Sequence, residues 1–219
     1  MPALLPCVEV GPRGQAAASV VWLHGLGANG HDFEPIVPYL ELPRVRFVFP
    51  HAPLRRVTIN GGMEMPAWYD MVALARPGGE NAEQVREASQ QVGALIAREA
   101  GRGVASDRIV VAGFSQGAAL ALHAGTRYTE RLAGILVLSG YEVRAATREA
   151  EAAPANRRTP MLFCHGTEDP LVPIEGGRAA FGAHATGERD AQWREFPIAH
   201  EVSDEEIAAV RDWLHARLM

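Results

Sequence analysis

Gly113-Phe114-Ser115-Gln116-Gly117 is the stretch of this sequence best suited to covalent chemistry. An alcohol is a weak nucleophile until a base removes its proton. A reactive serine therefore needs an exposed hydroxyl, an imidazole within reach and donors for the oxyanion that forms. The pentapeptide follows the apolar run Ile109-Val110-Val111-Ala112 and precedes the helical run Ala118 to Leu122, so strand, tight turn and helix stand in the order a nucleophile elbow requires. Glycines on both sides keep side chains out of that turn and leave the serine strained, with its hydroxyl presented outward. Gln116 adds a backbone N–H at a helix N-terminus, where the dipole favours developing negative charge. A chain with 22 glycines can form Gly-x-Ser-x-Gly by chance, and the flanking strand and helix are what single this one out.

A second oxyanion donor has to come from a glycine-rich loop after an early strand. Ser19 to Leu23 runs directly into His24-Gly25-Leu26-Gly27-Ala28-Asn29-Gly30, where the glycines let the Leu26 N–H turn inward. The base is selected by chain order, which in this arrangement is serine, then acid, then histidine. His24, His31 and His51 precede Ser115, His123 falls inside the elbow helix, and His165 comes before either candidate acid. His184 lies in a Gly/Ala-rich stretch and His215 in the last turn of the final helix. His200, in the loop after a strand ending at Phe196, is the one well placed. The acid comes from the loop after Met161 to Cys164, which carries Glu168 and Asp169. Asp169 is preferred because Pro170 holds it extended and its shorter side chain is more firmly fixed against an imidazole, with Glu168 as the alternative.

These residues need a scaffold that brings loops to one edge. Apolar runs at Ser19 to Leu23, Val45 to Phe49, Arg108 to Ala112, Ile135 to Leu138, Met161 to Cys164 and Gln192 to Phe196 read as strands, with a further edge strand near Cys7 to Val10. Most lack alternation, which fits strands covered on both faces. Helical spacing predicts a helix over Ala82 to Ala100 with Gly101 as its C-cap, another over Gln116 to Ala124, and a last one opened by a Ser203/Glu206 capping box with Ile207, Val210, Leu214 and Leu218 on one face. Arg144 to Arg158 reads as a surface segment. The pattern predicts an α/β fold, a mostly parallel central sheet flanked by helices on both faces, as one domain over residues 1–219.

Composition narrows the partners. The net charge is −5 with no basic block, which argues against nucleic acid; all 21 basic residues are arginine. Cys7 and Cys164 do not make a disulfide framework, so a reducing cytoplasm is the expected compartment. Met1 to Val10 lacks a basic start, is broken by Pro2 and Pro6, and is too short to read as a signal peptide; no window approaches the ~20 apolar residues of a membrane span.

Together the motifs His24-Gly25-Leu26-Gly27, Gly113-Phe114-Ser115-Gln116-Gly117, Gly166-x-x-Asp169-x-x-Val172-Pro173 and His200-Glu201 resemble the phospholipase/carboxylesterase family, which includes bacterial carboxylesterases and acyl-protein thioesterases. The likeness extends over nearly the whole chain and takes in Pro50-His51-Ala52-Pro53, Thr58 to Gly62 and Met65 to Asp70, similar to the family's loop over the acyl site. The resemblance implies the α/β-hydrolase fold, a Ser115, Asp169 and His200 triad, and an oxyanion hole at Leu26 and Gln116. It also implies an acyl pocket lined by Trp68, Met63, Met65, Leu171 and Val172. Family members are often dimers, though no exposed stripe in the sequence marks a homodimer interface. Tyr141-Glu142-Val143 departs from many relatives beside the pocket, so acyl-length preference does not carry over.

The expected activity is cleavage of carboxylic esters, with thioesters or lysophospholipids as alternative substrates, through an acyl-enzyme and without metal or organic cofactor. Two rivals are weighed against it. Metal-assisted hydrolysis would use His24, His31 and Asp32, which lack the spacing of a metal motif. A non-catalytic binding protein on the same scaffold is the other, since fold alone does not guarantee activity.

Overall fold

The computed structural model describes residues 4–73 and 78–219; Pro2, used above against a signal peptide, lies outside them. Nine strands occur among the described residues: β1 Cys7–Val10, β2 Ala18–Leu23, β3 Val45–Pro50, β4 Leu54–Val57, β5 Met63–Pro66, β6 Ile109–Phe114, β7 Gly134–Leu138, β8 Met161–Gly166 and β9 Ala191–Phe196. The helices are α1 Val37–Leu40, α2 Ala82–Gly101, α3 Gln116–Arg127, α4 Arg148–Glu151, α5 Ile174–His184 and α6 Asp204–Leu218. Seven strands form one sheet in the order β1-β3-β2-β6-β7-β8-β9, parallel except for β1 at the edge.

Strand sequences without alternation follow from what covers them. Residues pointing to one face of the sheet, such as Val21, Val111, Ile135 and Phe163, pack under α2, α3 and α5. Their neighbours Val20, Val110, Leu136 and Leu162 pack under α6 and Leu40 of α1. Both faces are dry, so both parities must be apolar. With the strands parallel, the loops after β2, β6, β8 and β9 all emerge at the carboxyl edge, which is where ligands meet open α/β sheets.

Several local expectations need correction. The left-handed glycine that follows α2 is Gly103, with φ +91°, because the helix runs through Gly101 to an Arg102 cap. At α6, Ser203 accepts from the Glu206 N–H (3.2 Å), but the Glu206 side chain turns into the core instead of completing the capping box. Burial without a partner among the described residues pushes that carboxyl up to about 8. The Arg144 to Arg158 stretch is not wholly surface. Asn156 is buried there, accepting from the Leu132 N–H and donating to the carbonyls of Tyr128 and Glu130. The β4–β5 hairpin was not anticipated, since Leu54-Arg55-Arg56-Val57 has no strand-like apolar pattern; its register is set by Leu54 opposite Pro66 and Val57 opposite Met63.

Two buried polar groups have consequences for stability. Glu99, fully buried on α2, accepts from Ser19 Oγ and Arg46 Nη1, each at 2.9 Å, and lies against Arg98 and Arg102. Desolvation raises its pKa, but those donors and charges outweigh it and hold the carboxyl below the usual range. His123 on α3 has no hydrogen-bond partner among the described residues, and the nearest carboxylate oxygen, on Glu151, is 4.0 Å from Nε2. Both ring nitrogens are buried without hydrogen bonds, and desolvation, with Arg127 adding to it, lowers its pKa to about 3. The native state therefore refuses a proton that the unfolded chain accepts below its ordinary value near 6.5, and stability falls as pH drops from there towards 3. By pH 4.5 the loss should reach about 2–3 kcal/mol. His123→Leu should flatten this part of the acid limb when urea midpoints are compared at pH 7 and 4.5; an equally steep fall in the variant would remove His123 as its source.

Candidate active site

β6 passes into α3 through Ser115, whose φ of +55° and ψ of −120° are strained for a residue with a Cβ. The turn is closed tightly enough that a Cβ on Gly113 would stand 2.3 Å from the Gly117 oxygen, and one on Gly117 would stand 2.4 Å from the Leu23 oxygen. The glycines of the motif are thus required by contact with the returning helix and with β2. The Ser115 N–H donates to the Leu138 carbonyl (2.9 Å), which fastens the elbow to β7.

The loops after β8 and β9 deliver the other two side chains. His200 Nε2 lies 2.9 Å from Ser115 Oγ, and His200 Nδ1 lies 2.6 Å from Asp169 Oδ2. Asp169 Oδ1 accepts from the backbone N–H groups of Leu171 (2.9 Å) and Val172 (2.8 Å), so the carboxylate is held from both ends in a side chain with no exposed surface. Glu168 is exposed instead. Phe114 packs on the imidazole with ring centroids 4.7 Å apart. The two loops touch closely: a Cβ on Gly166 would meet the Ile198 and Ala199 carbonyls at 2.3 and 2.4 Å. A larger residue there would push His200 off its station.

An imidazole so placed can accept the Ser115 proton while its Nδ1–H donates to Asp169. The Leu26 and Gln116 N–H groups have no backbone acceptor among the described residues, as donors reserved for an oxyanion would require. What holds them together is a side-chain network the sequence reading did not find. Gln116 Oε1 accepts from the Trp68 N–H (2.9 Å), and Gln116 Nε2 donates to the Tyr69 carbonyl (2.7 Å). Trp68 Nε1 donates to the His24 carbonyl (2.8 Å), and the Gly27 N–H donates to Pro66 O (2.9 Å). The loop bearing Leu26, the elbow bearing Gln116 and the end of β5 are thereby tied into one body. Nothing in the local sequence distinguishes a tying Gln116 side chain from an exposed one. Gln116→Ala would leave buried donors and acceptors unpaired and loosen both N–H groups, so kcat should fall about 10²-fold. Steady-state kinetics would check this, and a change below threefold would show the network to be incidental.

The five residues expected to line an acyl pocket separate into layers. Trp68 and Val172 are fully buried, Met65 is half-buried with its sulfur 3.8 Å from where a Cβ on Gly27 would be, and Met63 and Leu171 are exposed. Trp68 therefore braces the loop through its indole N–H and has no free face, and direct contact would fall to Met65, Met63 and Leu171. His165, passed over as a base, is buried with its Nε2 2.9 Å from the Val172 carbonyl. Desolvation lowers its pKa, so it stays neutral beside Asp169 and donates to that carbonyl.

Both histidines of the metal reading are otherwise engaged. His24 Nε2 accepts from the Ala52 N–H (3.1 Å) and Nδ1 faces the Gly25 carbonyl (2.7 Å), while His31 pairs with Glu34 at the surface. No group of three metal-ligating side chains occurs among the described residues. No helix among them is long and apolar enough to cross a membrane.

Comparison with known proteins shows the family and the fold. A sequence model of the family described as Phospholipase/Carboxylesterase matches residues 7–218. The chain is 35% identical to acyl-protein thioesterase 1 of Gibberella zeae, covering 93% of this chain and 92% of the relative. It is 32% identical to acyl-protein thioesterase 1 of Yarrowia lipolytica, covering 97% of each. Among solved structures, acyl-protein thioesterase 2 of Zea mays superposes with a TM-score of 0.85 at 30% identity, over 98% of this chain and 99% of that one. The fold is that of the α/β hydrolases.

Proposed function

This chain belongs to the phospholipase/carboxylesterase family and is a carboxylic ester hydrolase in the broad sense that includes thioesterases, and from that premise we propose that it cleaves acyl thioesters through a Ser115 acyl-enzyme. The observation that carries the reading is the unbroken chain from Ser115 Oγ to His200 Nε2 (2.9 Å) and from His200 Nδ1 to Asp169 Oδ2 (2.6 Å).

His200 takes the Ser115 proton as the oxygen attacks the acyl carbon, and the Leu26 and Gln116 N–H groups receive the oxyanion. Collapse of the tetrahedral species expels the thiol, which takes the proton from His200. Water, deprotonated by the same imidazole, then attacks the acyl-Ser115 and releases the acid with the serine regenerated. Asp169 keeps the proton of neutral His200 on Nδ1, so that Nε2 presents a lone pair to the hydroxyl.

Thioesters are preferred over oxygen esters because the curated relatives above are named as acyl-protein thioesterases. The accessible apolar side chains Met63, Met65 and Leu171, on the hairpin and on the loop that carries Asp169, suit an acyl chain. The test is a pair of substrates with the same acyl group on sulfur or on oxygen, taken through a graded series of chain lengths. The thioester should give the larger kcat/KM throughout. Faster cleavage of the oxygen ester would return the reading to a carboxylesterase, and failure to cleave either, with no labelling of Ser115, would favour a binding protein on a hydrolase scaffold.

A further inference from the structure

Away from Ser115, a cleft of about 360 Å³ opens between the Arg148 to Arg158 segment and the turn after α5. Its lining includes four arginines, Arg148, Arg157, Arg158 and Arg189, against two carboxylates, Glu149 and Glu188. It shares no residue with the triad, the oxyanion loops or the hairpin.

The carboxylates are already taken. Glu188 pairs with Arg158, and Glu149 with Arg148. Arg148 also pairs with Glu142 at 2.7 Å, and the other oxygen of Glu142 faces His184 Nε2 at 3.0 Å. Arg157 and Arg189 are left without a carboxylate within 4.0 Å among the described residues. Arg157 is exposed, as an unpaired arginine commonly is. Arg189 is different. It is half-buried, its Nε is enclosed with no acceptor among the described residues, and its Nη1 reaches only the Met161 sulfur at 3.2 Å, a weak acceptor. Burial lowers its pKa, the mark of a charge withdrawn from water without compensation.

We propose that this cleft is a binding site for the phosphate monoester of a small hydrophilic molecule, with Arg189 and Arg157 as the guanidiniums that hold the phosphate. Two guanidiniums without a carboxylate, Arg157 through its whole fork and Arg189 through Nη2, suit a dianionic group with three acceptor oxygens better than a carboxylate. At about 360 Å³ the space exceeds one phosphate, so an organic part is accommodated. No Phe, Tyr or Trp ring lines it and the His184 imidazole that does is buried and held by Glu142, while Thr186, Glu149 and Glu188 border it, so that part is hydroxylated and not a stacked base.

Calorimetric titration of the full chain with glycerol 3-phosphate, glycerol, inorganic phosphate and sulfate tests this. One saturable site is expected, tightest for the ester, silent to glycerol, and unchanged in Ser115→Ala, which separates it from an anion in the oxyanion hole. Arg157→Gln and Arg189→Gln should each weaken binding about tenfold. Arg157 is exposed, so its variant remains decisive even where Arg189→Gln does not fold. Sulfate binding as tightly as the ester would mean an adventitious ion only. That result, no binding up to 10 mM, or undiminished binding in Arg157→Gln would each overturn the site.

Discussion

Ser115→Ala should lower kcat by on the order of 10⁶-fold and abolish labelling by a fluorophosphonate while leaving the thermal unfolding midpoint nearly unchanged. The size follows from what is removed. Without Oγ there is no acyl-enzyme, and His200 Nε2, now 2.9 Å from nothing it can activate, contributes little by itself. Residual turnover above the uncatalysed rate would come from the oxyanion donors and from binding. The backbone demand of the elbow is untouched, because alanine meets the same strain at φ +55° as serine does. Persistent labelling of the variant would identify another nucleophile and dismantle the mechanism.

Asp169→Asn should cost about 10⁴-fold in kcat with the fold intact. The two backbone donors at 2.8 and 2.9 Å, from Val172 and Leu171, dictate which end of an asparagine amide points where. They require an oxygen at the Oδ1 position, so the amide N–H₂ faces His200 Nδ1. Two donors cannot share that contact, and the imidazole must move its proton to Nε2, where it can no longer accept from Ser115. The loss is of a tautomer and not of a charge at the surface. Glu168→Gln, an exposed neighbour, serves as the control and should stay within twofold of the parent. A fall of less than tenfold for Asp169→Asn would show that orientation of His200 does not depend on this carboxylate.

Strand positions and the order of site residues were legible because each depends on short stretches of chain. The five inner strands β2, β3, β6, β7 and β8 appear as mostly apolar runs since both faces are covered, and the elbow appears as a pentapeptide since its glycines must clear Gly117 O and Leu23 O within a single turn. His200 and Asp169 could be picked by order along the chain. The β4–β5 hairpin escaped notice because Arg55, Arg56 and Glu64 give it no apolar periodicity, and its position is set by contacts such as Gly27 N–H to Pro66 O. Trp68 illustrates the opposite error. The family resemblance implies an apolar pocket wall there, yet its indole N–H is engaged by His24 O, 44 residues away.

What the order of residues alone determined here is the kind of chemistry available and the kind of scaffold: a serine in an elbow, an acid and an imidazole in the right succession, and dry parallel strands between helices. Only tertiary structure decided which polar side chains are tools and which are fasteners. Gln116, His165, Glu99 and Glu206 are all polar letters in amphipathic or loop segments. Whether one of them ties two loops, stays neutral, gathers arginines or sits protonated in the core depends on partners dozens of residues distant. Hydrogen bonds and desolvation act through space over a few ångströms, and local sequence does not encode which distant groups will arrive within that range.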